Sequence, residues 1–499
     1  MIYSSLINIF SKIILALFYF VQITLIGINS DGDGVAILTS VSNISIGVGY
    51  TVMNDIFLSD LVRSKLQGTL KDFCLLNTAV VIVLLIGSLA TIPLFVYIAN
   101  LMIPNHSRFF NPNGSMACIF YAYSLNIPLA VLANFGRNYM IVSRGLNKAN
   151  VISILQGIIS LIAMFSLYPL INVLAPIFGL ILSNFLTVFL VTAYMRSDNI
   201  FSFGANWSYV KNCLINRNAV ILVFAHSISL FVQPSLEWLA SGFGPGLASG
   251  FSACWRVVQV LQGLVLGSLF ETVSIGIMRL HFSGRRQIGD LCEKLLQLTV
   301  VISISGAIFL SVLCLNWFQF VNGKIISNAS AVLVGKTVLP ILVLTLPASF
   351  IIGFNSRIFY IYQDISKITY YGVLTQLLII SFCFILSRKF GITVLAYSKL
   401  FLESGIMVPM SMSILAEKGC YKNLKVWFAY VASEIMIVVF IYAPMLIFII
   451  SKESFNDGPA IFFTVEIVFV LSSAIVGYRV WKKCGKILDK PAWMEISAA

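Results

Sequence analysis

Residues 150–195 read NVISILQGIISLIAMFSLYPLINVLAPIFGLILSNFLTVFLVTAYM, a stretch without one acidic or basic side chain. It divides near Asn172 into two apolar runs, 150–172 and 174–195. A helix rises about 1.5 Å per residue, so each run is long enough to cross about 30 Å of hydrocarbon. The stretch therefore predicts two membrane-spanning helices that are joined by a short turn.

Apolar runs of this kind recur along the whole chain. Of its 499 residues, 59% are hydrophobic and only 10% are charged, whereas a soluble protein of this length needs more charge to cover its surface. The runs and the polar breaks between them predict fourteen spans, at 5–27, 34–54, 74–100, 116–136, 150–172, 174–195, 219–242, 249–275, 295–317, 337–358, 369–387, 391–416, 426–450 and 459–480. The sequence predicts an all-α polytopic membrane protein.

The distribution of Lys and Arg favours one orientation of these spans. With the N-terminus in the cytoplasm, the cytoplasmic segments hold 22 Lys and Arg and the outer segments hold six. Short loops rich in these residues stay in the cytoplasm, so the bias predicts an even number of spans and two cytoplasmic termini. The same bias accounts for the formal charge of +13, and we expect no nucleic-acid partner. The first run lacks a basic leader and a cleavage site, which predicts a retained span.

A faint internal repeat favours two equivalent halves. Segments 137–156 and 357–376 both begin with Arg, end with Gln and carry a Lys ten or eleven residues along, and they are six spans apart. An even offset predicts parallel repeats, related by an axis along the membrane normal. We therefore expect an N-terminal lobe of spans 1–6, a C-terminal lobe of spans 7–12, and spans 13 and 14 with a basic cytoplasmic tail, at residues 1–200, 201–418 and 419–499.

Motifs for catalysis or for metal binding are missing from the sequence. The nine cysteines have no paired spacing, and the three histidines lie far from any cysteine cluster. Asp31-Gly-Asp33 resembles the acidic pair of membrane glycosyltransferases, but every outer loop is short, and turn chemistry explains a Gly-Asp-Gly segment more simply. We expect no enzyme activity, no cofactor and no metal.

Ionisable side chains inside spans carry the strongest functional signal, because each costs about 3 kcal/mol to insert and tends to face a cavity or a partner. Lys399 and Glu403 are one helical turn apart and can neutralise each other, and Glu237 and Arg256 flank a short turn and can pair across it. Lys12 and Arg256 lack a carboxylate three or four residues away. Two cations from different halves that face one cavity would bind phosphates; the alternative is interface anchoring or helix-to-helix pairing.

Three segments resemble a known family. They are EWLASGFGPGLASG at 237–250, RVVQVLQGLVLG at 256–267 and RIFYIYQDISK at 357–367. The first two are similar to the seventh and eighth spans of the MurJ/MviN lipid II flippases, in the multidrug/oligosaccharidyl-lipid/polysaccharide exporter superfamily. The third is similar to the family's Arg-x-Phe-Tyr segment. Two stretches near the N-terminus, 11–12 and 33–43, fit more faintly, and fourteen spans is the family's number.

The resemblance implies two six-helix lobes around a central cavity, with the last two spans forming a groove for a lipid tail. Cavity cations would hold the diphosphate of a polyprenyl-linked saccharide while the lobes rock between inward-open and outward-open states. Together with the charges in the spans, it implies a head-group site of Lys12, Asp33, Ser40, Asn43, Glu237 and Arg256, and gating or ion coupling by Arg357, Lys399 and Glu403.

Two positions depart from the family pattern. Phe18 and Ser40 stand where the resemblance implies further arginines in the first and second spans. With fewer cavity cations, an undecaprenyl-linked repeat unit of O-antigen, capsule or exopolysaccharide becomes an alternative to a lipid II-like precursor.

Three functions therefore stay open. The first is a flippase for an undecaprenyl-diphosphate-linked saccharide, working among the lipids of the bacterial inner membrane. Coupling to H⁺ or Na⁺ stays open, since no nucleotide-binding motif occurs. The second is a drug or cation antiporter of the same superfamily, which usually has twelve spans and an acidic cavity. The third is a polysaccharide polymerase or ligase, which would need a large outer loop.

Overall fold

The structure of the chain is a computed structural model. It describes separate positions between 7 and 26, and residues 27–51, 57–70, 72, 78–102, 115–198, 217–263, 296, 307, 334–362 and 366–417. The predicted thirteenth and fourteenth spans and nearly all of the ninth lie outside these residues.

The described residues form helices and turns, with no strand among them. The helices in chain order are α1 (Ser30–Thr51), α2 (Leu58–Leu66), α3 (Thr78–Ala90), α4 (Ile92–Met102), α5 (Ser115–Ser143), α6 (Leu146–Ile171), α7 (Ala175–Ser197), α8 (Arg217–Ser241), α9 (Leu247–Gln262), α10 (Leu339–Leu344), α11 (Leu346–Tyr362), α12 (Ser366–Phe390), α13 (Thr393–Leu402) and α14 (Val408–Glu417). Outside α2, they fall on predicted spans, several extending past the predicted ends, and the all-α polytopic class is confirmed.

Three described segments are long and apolar enough to cross a membrane, namely Leu146–Ser197, Thr369–Phe390 and Thr393–Ala416. Val334–Leu344 and Leu346–Ser356 are long and apolar enough only when taken together, and they are bent by 41° relative to each other, as in a broken span or a re-entrant loop. Pro347 stands at the start of the second piece, where its missing N–H costs least and its ring prevents the preceding helix from continuing unbroken.

Residues 150–195 form the helical hairpin that their apolar runs predict. α6 ends at Ile171, and a 3₁₀ turn at Asn172–Leu174 leads into α7. Asn172 has a φ of 45°, a conformation that Asn tolerates better than most residues and that cannot continue a right-handed helix. Pro176 in the first turn of α7 needs no intrahelical donor, so it suits the start of the returning helix.

The N-terminal half has a polar interior and an apolar exterior. Asn184 of α7 donates to Asn126 of α5 at 2.8 Å and accepts from Gln156 of α6 at 2.6 Å. On the outer surface of the same hairpin, Leu170 is 76% exposed and Phe189 is 63% exposed. Lipid is as apolar as these side chains, so close packing and buried hydrogen bonds, rather than hydrophobic burial, hold such helices together.

The C-terminal half packs α8, α9, α10, α12 and α13 around one apolar cluster. Its fully buried members include Leu236, Phe251, Leu342, Ile379 and Leu395. The two halves meet where α1 packs against α8 and α9. Four of the residues that the sequence singled out lie on these helices, namely Asp33, Ser40, Glu237 and Arg256.

The predicted twelfth span contains a break in its helical hydrogen bonding. A π-helical turn at Glu403–Met407 separates α13 from α14. Pro409 follows in the first turn of α14 and lacks the N–H that a continuous α-helix would use there. Such π turns inside helices are frequent at functional sites, which directs attention to Glu403.

Candidate functional site between the two halves

The start of α1 is fixed by Asn29. Its side-chain Oδ1 accepts hydrogen bonds from the backbone N–H of Asp31 at 3.0 Å and of Gly32 at 2.9 Å. These bonds satisfy two amides that have no partner within the helix. Asp33 follows in the same turn and reaches the other half of the molecule.

Asp33 bridges the two halves. Its carboxylate is fully buried, with Oδ2 accepting from the Gly246 N–H at 2.7 Å and Oδ1 accepting from the Ser249 N–H at 2.6 Å. Gly246 precedes α9, has a φ of 84° and has no side chain that could cap this helix. The N-terminus of α9 is therefore capped by a carboxylate from the opposite half, whose charge also suits the positive end of the helix dipole.

Arg256, on α9, points toward the predicted first span. Its side chain is largely buried at 6% exposure, its Nη1 donates to Gln22 Oε1 at 3.0 Å, and its guanidinium lies 4.9 Å from the centre of the Tyr19 ring. Among the described residues no carboxylate pairs with it. Its hydrogen-bond acceptor and its ring partner are both neutral, and the Glu237 carboxyl group lies close enough to interact with its charge.

A pocket with a volume of about 30 Å³ opens beside Arg256. The first span and α1 form one wall and α9 forms the other, through Gln22, Ile26, Gly27, Ile28, Gly32, Val35, Ala36, Ser249, Ser252, Ala253 and Arg256. This volume is far below the usual range for small-molecule sites, about 300–1,000 Å³. In this conformation the pocket does not hold a complete saccharide.

A chain of hydrogen bonds beside the pocket joins α1, α8 and α9. Gln233 Nε2 donates to Ser40 Oγ at 3.1 Å and to Glu237 Oε1 at 2.9 Å. Gln259 Nε2 in turn donates to Gln233 Oε1 at 3.1 Å. Ser40 therefore ties the two halves together through a neutral amide, at a position where the resemblance implied a cation.

The Glu237 carboxylate is fully buried. Its Oε1 accepts from Gln233, and the Ser40 and Ser252 hydroxyls and the Arg256 guanidinium lie close to it. The short turn between Glu237 and Arg256 also allowed an ion pair between the two residues. In the structure Arg256 bonds to Gln22 instead, because its long side chain reaches across to the first span.

The expected pairing of Lys399 with Glu403 is confirmed. The two side chains form a buried ion pair across one helical turn. Glu403 Oε2 also accepts from Ser349 Oγ of α11 at 3.2 Å, and Lys399 Nζ lies 4.8 Å from the centre of the Trp255 ring. The pair thus joins α9, α11 and the π turn; its role in gating stays a prediction.

The other sequence-selected residues are less well placed. Lys12 lies outside the described residues, and Arg357 belongs to α11 but its side chain lies outside them too. Asn43 is exposed on α1, one turn beyond Ser40. Phe18 is only 1% exposed and packs inside the N-terminal half, so it does not line the pocket.

The neutral hydrogen-bond partners of the charged residues were not predicted from the sequence. Gln22, Gln233 and Gln259 are uncharged, and Ser252 looks like any small helix residue. A signal for the glutamines was available, since polar side chains inside apolar spans tend to face the interior of a bundle. Nothing in the sequence distinguishes Ser252 from its neighbours.

No protein-family model matches this sequence, and no curated protein matches it. Several solved structures match this chain. A structure of the lipid II flippase MurJ in an inward closed conformation matches with a TM-score of 0.64 and 15% identity, over 98% of this chain and 99% of that chain.

Two further matches are transporters. A MATE protein in complex with MaL6 has a TM-score of 0.59 and 13% identity, over 83% of this chain and 96% of its own. A MOP superfamily transporter from Pyrococcus furiosus, described by the reverse polarity of its binding pocket, matches with a TM-score of 0.57 and 15% identity. That match covers 83% of this chain and 95% of the Pyrococcus furiosus chain. At these identities the likeness establishes the fold, which agrees with the resemblance seen in the sequence. The chain has the all-α membrane-transporter fold of MurJ and the MATE proteins.

Proposed function

We propose that this chain is a flippase that moves a polyprenyl-diphosphate-linked saccharide across the bacterial inner membrane by alternating access. The observation that carries the proposal is the buried Arg256 guanidinium at a pocket between the two halves. Guanidinium groups bind phosphate oxygens through paired, charge-assisted hydrogen bonds. A diphosphate is the one group that all lipid-linked saccharides of this class share.

The partners of Arg256 favour an exchange when substrate arrives. Its hydrogen bond to Gln22 is a bond to a neutral amide, and its contact with Tyr19 is a cation–π contact. A bond from a guanidinium to a phosphate is roughly twice as strong as one between neutral groups. Phosphate binding would therefore release Gln22 and Tyr19 and loosen the hold of the first span on α9.

The Asp33 contact provides the gate that alternating access requires. The charge bias places it at the outer end of the spans, where it closes the path between α1 and α9. A hydrogen bond to a charged group contributes about 1.5–3 kcal/mol, so the two bonds favour the closed state. The gate opens only when substrate binding offsets their loss.

The identity of the saccharide stays open between a lipid II-like precursor and a surface-polysaccharide repeat unit. The match to MurJ extends over 98% of this chain, whereas the match to the MATE protein leaves a larger part unmatched. This difference favours a lipid-linked substrate. The single described cation at the pocket favours a substrate whose charge is concentrated in its diphosphate.

A drug or cation antiporter is the second candidate, and the similarity to MATE transporters supports it. Arg256 opposes it, because the guanidinium that lines the pocket would repel a cationic drug. We therefore rank it below the flippase.

Complementation separates these candidates. The chain is expressed in cells depleted of their lipid II flippase, in cells lacking a polysaccharide repeat-unit flippase, and in cells lacking their drug exporters. We expect rescue in one of the first two strains, lost on Arg256→Ala and kept on Arg144→Ala, which removes an equal charge from a surface pair with Asp198. Rescue of the third strain alone would favour the antiporter.

A further inference from the structure

We infer that the side-chain amides of Asn43 and Gln259 form a subsite for the sugar that is bonded directly to the diphosphate, and that this sugar is uncharged. The role of the subsite rests on the proposed function. The opening between the halves at Asn43 follows from the geometry alone.

Asn43 marks an opening in a helix that is otherwise covered. From residue 32 to residue 47, every residue of α1 is buried except Asn43, which is exposed. A helix that faces lipid exposes apolar side chains, as α7 does at Phe189. Because α1 is enclosed by α4, α5, α8 and α9 and exposes one amide there, the space beside Asn43 lies inside the molecule.

Two contacts with α8 locate this opening between the two halves. Ser40 accepts a hydrogen bond from Gln233 at 3.1 Å, and Gly47 is in close contact with the Leu230 side chain. Residues 40, 43 and 47 lie on one face of a helix. Asn43 therefore faces the C-terminal half, in the gap that remains between these two contacts.

Gln259 brings a second exposed amide to the same place. It lies on α9 and donates to Gln233 Oε1 at 3.1 Å, and Gln233 in turn donates to Ser40 and to Glu237. The amide group of Gln233 is occupied by these bonds. Among the residues that the structure describes, the Asn43 amide and Gln259 Oε1 have no hydrogen bond, so both can bind a ligand.

The position of Gln259 relative to Arg256 suits the sugar next to a diphosphate. Gln259 is three residues after Arg256, so it lies on nearly the same face of α9 and about 4.5 Å further along the helix. In a lipid-linked saccharide the first sugar is bonded directly to the diphosphate. A diphosphate at Arg256 therefore brings this sugar to the level of Gln259, where the two halves leave an opening at Asn43.

The chemistry of the two amides favours an uncharged sugar. Each amide offers two donors and one acceptor, which match the hydroxyl groups and the N-acetyl group of a hexosamine. Neither amide compensates the charge of an acidic sugar, and the Arg256 guanidinium is occupied by the diphosphate in the proposed function. A site built to hydrogen-bond hydroxyl groups discriminates strongly against a compound that lacks them.

Thiol labelling of the full-length protein in open membranes tests the opening. We expect Asn43→Cys to react with a charged methanethiosulfonate reagent well above the wild-type background. Phe189→Cys is the matched control, because position 189 is also exposed but faces lipid, where a thiol stays unreactive. If Asn43→Cys reacts no faster than Phe189→Cys, the opening is absent and the inference is overturned, whatever the protein transports.

Binding in detergent tests the contact with the sugar. The two probes are undecaprenyl diphosphate and undecaprenyl diphosphate N-acetylglucosamine. We expect the wild type to bind the second probe about tenfold more tightly, which is the effect of one or two hydrogen bonds between neutral groups. The double variant Asn43→Leu/Gln259→Leu should bind the two probes equally. Asn147→Leu, which removes an exposed amide from α6, should keep the tenfold difference.

The outcomes separate the subsite from the proposed function. Equal affinity of the wild type for the two probes, or a tenfold difference that survives in the double variant, overturns the sugar subsite and leaves the diphosphate site standing. A probe with a hexuronic acid that binds as tightly as the N-acetylglucosamine probe contradicts an uncharged sugar. If the wild type binds neither probe, the proposed function fails and the sugar subsite fails with it.

Discussion

Arg256 and Asp33 lie at one contact between the halves and act there in opposite ways. The Asp33 carboxylate accepts hydrogen bonds from two backbone amides of the N-terminal end of α9, so it holds the halves together. Arg256 has a hydrogen bond and a ring contact to neutral groups of the first span. This difference in partners supports the gating role that we propose for Asp33 and the binding role that we propose for Arg256.

Arg256→Ala should weaken binding of undecaprenyl diphosphate by about 30-fold or more, because loss of a buried charged partner costs about 2 kcal/mol or more. Arg256→Lys should recover only part of this loss, since an ammonium cannot form paired bonds to phosphate oxygens. Titration calorimetry in detergent measures both. Undiminished affinity in Arg256→Ala would remove this residue from the site.

Asp33→Asn should loosen the gate. The amide keeps the size of the side chain but loses its charge and one of its two acceptor oxygens, so one capping bond to α9 is lost and the other weakens, at a cost of about 1 kcal/mol or more. A cysteine introduced at Ser249 should then react faster with an impermeant thiol reagent added from outside. The matched control is Asp31→Asn, which changes the same charge in the same helical turn; equal rates in the two variants would speak against the gate.

The predicted twelfth span contains both a buried ion pair and a π turn. Its π turn begins at Glu403, and the ion pair with Lys399 fastens this turn to Trp255 of α9. Trp255 precedes Arg256 on α9, so the ion pair beside the π turn contacts the helix that carries the proposed binding residue. Movement of α9 during transport would therefore change the contact between Trp255 and Lys399 of the twelfth span.

Lys399→Met should destabilise the protein by about 3–5 kcal/mol, because it leaves the Glu403 carboxylate buried without its counter-charge. The double variant Lys399→Met/Glu403→Met should be closer to the wild type, since neither charge is then left alone. Thermal unfolding in detergent compares the three proteins. Additive losses in the double variant would show that the two residues do not act as a pair.

Close packing in the α6–α7 hairpin gives a second prediction at this scale. A methyl group at Gly179 would lie 2.7 Å from the Ser160 carbonyl oxygen, and a backbone atom cannot turn away. Gly179→Ala should therefore lower stability by about 1–3 kcal/mol. Gly87→Ala, where nothing lies within 4 Å of the added methyl group, should be neutral or slightly stabilising in the same thermal assay.

At the scale of the whole molecule, the positions of the helices can be predicted from the sequence, whereas the contacts of the candidate site can be predicted only in part. Membrane thickness fixes the length of apolar runs, so the helices fall close to their predicted positions. The Lys399–Glu403 pair is local and could be inferred from a spacing of four. The bonds from Asp33 to Gly246 and from Arg256 to Gln22 join residues more than 200 positions apart, and no local pattern encodes them.

The two halves meet at a small pocket beside Arg256, at the buried Asp33 cap on α9 and at the buried Glu237 carboxyl group. The lobe boundaries at residues 200 and 418 and the role of Lys12 stay predictions. The central claim that these features support is that an anionic lipid head group passes between the halves and is bound there by Arg256.

Reconstitution into vesicles tests that claim most directly. A fluorescent undecaprenyl-diphosphate-linked saccharide is placed in the inner leaflet, and its arrival in the outer leaflet is followed with an impermeant quencher. We predict rapid quenching with the wild type and with Arg144→Ala, and quenching at the rate of protein-free vesicles with Arg256→Ala. A wild type no faster than protein-free vesicles, or an Arg256→Ala variant as fast as the wild type, would contradict the account.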